Sequence, residues 1–252
     1  MPELPKDSLS IAYLYTTQMV LSFCIKKVFD LPAGKGKMEK LKLIAKELTS
    51  HAPFTILGAS TGLIIMVIIV LSNAPKEISS ALFYTLHPIH VLLSALVTTS
   101  IYKLWGKGTI WSAIIIGYTG SILIATLSDA IIPYLCGTSI QISMQFHLPF
   151  IETTKVPFIG VTKWHLVNSA AALGILIGYL KPTTKFPHAG HVLLSTWASL
   201  FNFAAFGIAN WIPLLHFVFL FLFLAVWVPC CLSDIAYPLL FARKDKEHPH
   251  KI

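Results

Sequence analysis

Apolar residues run along this chain in stretches of about twenty, separated by short polar segments. A membrane-spanning helix needs roughly 20 apolar residues. By that measure the pattern predicts spans near 8–25, 52–73, 86–105, 109–135, 163–181, 187–208 and 211–241. The expected fold is all-α: a polytopic integral membrane protein of about seven transmembrane helices. The last stretch is long enough to tilt or break, and Pro213, Pro229 and Pro238 are the places for it to do so.

Two segments follow other periods. Met38, Leu41, Ala45 and Leu48 share one helical face, with Lys37, Lys40 and Lys46 on others, which predicts an amphipathic helix lying on an anionic leaflet. From Ser139 to His147 apolar and polar residues alternate strictly, the period of a strand, and 153–162 is its expected hairpin partner. His147 in that hairpin reads as a surface residue.

Composition agrees with a membrane class. Hydrophobic residues make up 55% of the 252 and charged residues only 12%, where a soluble domain carries about a quarter charged. The net charge of +8 is gathered into clusters. Seven lysines fall in 26–50, two in each of the short turns 103–107 and 181–185, and four basic residues in the tail. The opposite connections hold only Lys76 and Lys155. Clustered lysines beside apolar segments read as cytoplasmic flanks of helices rather than as a nucleic-acid surface, and they predict the N-terminus outside and the C-terminus cytoplasmic. Trp105, Trp111, Trp164 and Trp211 fall at predicted helix ends as interfacial anchors. The first apolar run lacks a basic leader and a small-residue cleavage site, so it reads as a retained helix. The four cysteines show no CxxC and no disulfide framework.

The sequence His87-Pro-Ile-His90-Val-Leu-Leu-Ser94 recurs as His188-Ala-Gly-His191-Val-Leu-Leu-Ser195, identical at six of eight positions. Each copy is followed by Leu-Ser-Asp, ending at Asp129 and Asp234, with second histidine and aspartate 39 residues apart in one copy and 43 in the other. A weaker match pairs His51 and Leu57-Gly58-x-x-x-Gly62 with His165 and Leu173-Gly174-x-x-x-Gly178. The expected organisation is an N-terminal helix and basic segment (1–50), repeat one (51–135), an extracytoplasmic loop or hairpin (136–162), repeat two (163–241) and a basic tail (242–252). Three helices per copy is an odd number, so the copies would be inverted relative to each other, a recurrent plan for secondary transporters.

Histidines at i and i+3 project from one helix face, a spacing that suits two bonds to one metal ion. With the predicted topology the residues sort into two metal sets near opposite faces: His87, His90, Asp129 and His165 outside, and His188, His191, Asp234 and His51 inside. Such N/O donors suit Zn, Fe, Mn, Co or Ni. Each Asp is either a ligand or the partner that fixes a liganding imidazole. Ionisable side chains in membrane segments are costly and usually functional.

The leading expectation is therefore a transporter or channel for a divalent transition-metal cation, its partners the bilayer and the ion, with no nucleic acid, either as a homo-oligomer or as a subunit of a membrane complex. A b-type bis-His haem electron carrier, with haem b as cofactor, is the alternative. An intramembrane metalloenzyme is the third; retention of the set in both copies favours transport over catalysis. The chain carries no P-loop, HExxH, nucleophile elbow or Rossmann fingerprint.

Overall fold

A computed structural model describes residues 35–105, 109–183, 185–208, 210–231 and 237–241. These are mostly helical, and three helices are long and apolar enough to cross a membrane: Ala52–Leu71, Lys76–Leu104 and Ile110–Ser139. Ile212–Trp227 is a shorter apolar helix. The predicted span at 8–25 lies outside the described residues.

Helix α1, Lys35–Leu71, carries the amphipathic stretch and the next span as one continuous helix. The expected separate surface helix at 37–49 is thus joined to the span, through a register that holds Pro53 inside it. The chain leaves α1 at Asn73, whose φ of 50° is left-handed, a conformation that asparagine tolerates. Pro75 follows, and α2, Lys76–Trp105, begins.

α2 starts ten residues before the predicted span, because Lys76 to Thr85 is too polar to register as a membrane stretch yet places Glu77 in a first helical turn, where the dipole favours it. This shift matters. It moves His87 and His90 from the beginning of a helix to its middle.

The third span is built in three pieces. α3, Ile110–Thr126, passes into a π-helical turn, Leu127–Ile131, and then into α4, Ile132–Ser139. α5, Lys163–Leu180, and α6, Lys185–Phe206, form a second hairpin. A 3₁₀ turn, Ile212–Leu214, leads into α7, Leu215–Cys231, and α8 is Tyr237–Phe241. The long predicted span 211–241 is therefore a 3₁₀ turn and two helices, with Pro213 in the turn, Pro229 inside α7 and Pro238 in α8.

α2 is the central helix and packs on α6, α5 and α3, while α1 and α7 cover α6. Phe83 meets Phe206 and His90 meets His191, so α2 and α6 run antiparallel. Close approach of α5 to α2 requires glycine. A Cβ on Gly174 would stand 2.2 Å from the Leu92 carbonyl oxygen, and one on Gly178 would stand 2.5 Å from that of Leu96. The two glycine-bearing helices do not meet each other at these glycines: Gly174 and Gly178 of α5 rest on α2, whereas Gly58 and Gly62 of α1 rest on α6. Apolar clusters fill the spaces beside the central pair: Ala59, Met66, Leu200, Phe203 and Leu222 on one side, Val91, Ile122, Ala125, Val167 and Ala171 on the other. Large side chains such as Ile64, Ile68, Ile115 and Leu176 face outward.

The segment after α4 covers one end of the α2–α6 pair. Its strand β1, Ser143–Met144, pairs antiparallel with β2, Gly207–Ile208, which follows α6. The expected hairpin with 153–162 does not form; that segment closes on itself through a bridge from Lys155 to Thr162. The partner differs because β2 lies at the end of a buried helix, already beside the emerging strand. Glu152 anchors the cover, accepting from the Leu148 amide at 2.8 Å and pairing with Lys163 at 2.7 Å. Of the predicted tryptophan anchors, Trp111 and Trp164 are exposed at helix ends, whereas Trp211 is buried against Phe203.

Candidate metal site

The interior between α2, α6 and the π turn is polar. Along α2, His87, His90, Ser94 and Thr98 are buried at helical spacing, and along α6, His191, Ser195, Ser199 and Asn202 are buried at i, i+4, i+8 and i+11. Each set lines one helix face. Because the two helices are antiparallel neighbours, the stripes meet inside the bundle.

Asp129 projects between them from the π turn. One extra residue per turn alters the side-chain phase there, and such bulges recur at functional sites. Its Oδ2 accepts from His87 Nδ1 at 2.9 Å and from His90 Nδ1 at 2.7 Å. Its Oδ1 accepts from the hydroxyls of Ser128 and Ser195, both at 2.7 Å, with Ser199 at 3.5 Å. All of these side chains are essentially inaccessible to solvent. An isolated carboxylate in such a place costs several kcal/mol, about what breaking a buried ion pair costs. Here both oxygens are fully engaged, and three helical segments are tied together at one group.

The bonding fixes the chemistry of the rings. A carboxylate only accepts, so a neutral imidazole bonded to it through Nδ1 carries its proton there and leaves a bare lone pair on Nε2. His87 Nε2 is buried and has no hydrogen-bond partner among the described residues. One donor atom from each of His87, His90 and Asp129 lies within 4.8 Å of the others, all three residues buried. Such a group could hold a metal ion on release of the ring protons that bond Asp129.

The arrangement is not a hydrolase triad. In a triad the imidazole stands between serine and carboxylate, whereas Ser195 bonds Asp129 directly.

The other predicted site residues fall as follows. The ring of His191 lies parallel to that of His90, with centroids 5.7 Å apart. His191, expected near the opposite face, instead stands beside the first pair. The cause is the early start of α2, which carries His90 inward to meet α6. His165, expected to join the first set, is exposed in the first turn of α5, where it bonds the Thr162 hydroxyl and packs edge-on against Trp164. It begins its helix at the covered end and is not among the residues gathered at Asp129. His51 lies on α1 and His188 on α6, but the side chains of both lie outside the described residues, as does all of Asp234.

His147 departs most from its expected role. It is half-buried, its ring 3.9 Å centroid to centroid from Phe206 and 5.2 Å from Phe83, and its Nε2 is 3.3 Å from Asn202 Nδ2. Burial pushes its pKa down to about 4, so the ring is neutral near pH 7. The signal for Ser195, Ser199 and Asn202 was present as a polar stripe through an apolar helix. For His147 no local signal existed, because its burial depends on which strand pairs with β1.

No protein-family model, curated protein or solved structure matches this chain.

Proposed function

We propose that the chain is a transporter or channel that moves a divalent transition-metal cation through a site in the middle of the membrane. The carrying observation is the convergence of His87 and His90 on Asp129, with His191 alongside. His90 lies about 21 Å along a helix about 45 Å long, at 1.5 Å per residue, close to the middle of a hydrocarbon layer of about 30 Å. Transporters built on inverted repeats bind their cargo at that depth, where the repeats meet.

The seven-helix inverted repeat belongs to the same proposal. Gly58 of α1 packs on Thr196 of α6, and Gly174 of α5 packs on Leu92 of α2, the crossed contacts that an in-plane twofold would generate. On this reading Asp234 and His188, whose side chains lie outside the described residues, belong to a second set, and the basic connections face the cytoplasm. Lys103 donates to the Tyr179 carbonyl, which supports placing the turns after α2 and α5 at the same end.

Zinc uptake into proteoliposomes containing a zinc indicator tests the proposal. Asp129→Asn and Asp234→Asn each reduce the initial rate at least ten-fold, or about 1.4 kcal/mol. Uptake at the wild-type rate in both variants contradicts it. A Soret band in the purified protein's visible spectrum would instead favour the haem alternative.

A further inference from the structure

We infer that the loop 155–162 at the tip of the cover is a lipid-binding wedge: Phe158 and Ile159 insert among the acyl chains of the leaflet at the covered end of the bundle, with Lys155 set to meet lipid phosphate. The wedge requires only that the chain spans a membrane, whatever cargo it carries.

The loop is built as a rigid projection. The Val156 amide donates to the Val161 carbonyl at 2.9 Å, the Gly160 amide donates to the Val156 carbonyl at 3.0 Å, and Lys155 bridges to Thr162. These bonds turn the chain so sharply that Phe158 and Gly160 take φ of 64° and 74°. Glycine enters the left-handed region freely. A bulky phenylalanine there is an outlier that the surrounding structure must impose. The imposed turn carries the ring outward: Phe158 is 82% exposed, with Ile159 and Val161 exposed beside it. An apolar cluster held away from the protein on a fixed turn marks a contact surface.

Depth identifies the partner as lipid. Val156, at the foot of the turn, is buried in one cluster with Phe83, Tyr84 and Phe201, and Ile65 and Ile69 pack on the same cluster. Ile65 and Ile69 belong to the apolar span Ala52–Leu71, and Phe83 to the span Lys76–Leu104. Phe83 stands about 10 Å inside the start of α2, at 1.5 Å per residue. The loop is therefore rooted in the layer of the spans and not above it. Its tip begins two residues beyond Val156. Trp164, exposed in the first turn of α5, stands where aromatic side chains mark the headgroup boundary. Lys155 is exposed at the edge of the tip, so its stem can lie along lipid while its ammonium reaches phosphate. An apolar face flanked by lysine is the composition that lies in the boundary between headgroups and acyl chains.

Bimane fluorescence of the full chain in vesicles of phosphatidylcholine and phosphatidylglycerol tests the wedge. Phe158→Cys and Ile159→Cys are each labelled with bimane, and wild type treated identically supplies the background of the four native cysteines. Both positions are exposed, so neither substitution removes a core contact. Replacing the phosphatidylcholine by its chain-brominated form is expected to cause a loss of bimane fluorescence at both positions. Fluorescence unchanged by brominated chains overturns the wedge: quenching by aqueous iodide would then place the tip in water, and protection from both quenchers would place it under another protein molecule. A chain that does not float with the vesicles overturns the membrane-spanning class itself, and the wedge with it.

Discussion

Asp129 is held by four close donors from three segments of the chain, His87 and His90 from α2, Ser128 from the π turn and Ser195 from α6, with the Ser199 hydroxyl at 3.5 Å. The serines therefore position the carboxylate on which the two histidines converge. Hydrogen bonds to charged groups contribute about 1.5–3 kcal/mol each. Ser195→Ala is expected to destabilise the protein by that order in reversible denaturation and to weaken zinc binding several-fold, with Ser195→Thr restoring both. Unaltered zinc affinity in Ser195→Ala would show that Oδ1 is held for packing alone. At this scale the sequence was most legible where the residue type was most costly. Two histidines in one apolar helix and an aspartate in another stand out. Hydroxyls do not, because serine and threonine in helices commonly bond their own backbone, as Ser199 also does with the Ser195 carbonyl at 2.8 Å.

Helix existence followed from apolar runs, but helix limits did not. Hydropathy marks the most apolar part of α2 and misses the ten residues that extend it, and those ten residues decide how far along the helix His90 stands. The π turn has no compositional signature, since Leu127–Ile131 reads like its flanks; its phase is visible only in where Asp129 points. Glycine spacing was more informative. Gly174 and Gly178 let α5 rest on the α2 backbone, and nothing larger fits at 2.2 Å from the Leu92 oxygen. Gly174→Val therefore must push α5 away. The expected cost is about 1–3 kcal/mol or more from overpacking, measured as a lower midpoint of thermal unfolding in detergent. A midpoint equal to wild type would mean that α5 does not approach α2 so closely.

Across the molecule, two antiparallel helices carry polar stripes through an apolar bundle, a third span inserts a carboxylate between them, and a loop covers one end. The recurring motif puts a histidine pair in each half of the sequence. It did not reveal that His90 and His191 would meet, because meeting depends on helix lengths and crossing, which no motif encodes. The pairing of β1 with β2 was hidden for the same reason: strand alternation names a strand and not its partner. The account predicts a coordination sphere that includes Asp129 at the centre of the protein, and X-ray absorption at the zinc edge of protein loaded with one equivalent of zinc measures it directly. Imidazole nitrogens together with carboxylate oxygen at about 2.0–2.2 Å are expected, with the spectrum altered in Asp129→Asn. A first shell of water or sulfur, or a wild-type spectrum retained in Asp129→Asn, would contradict the site on which the proposed transport depends.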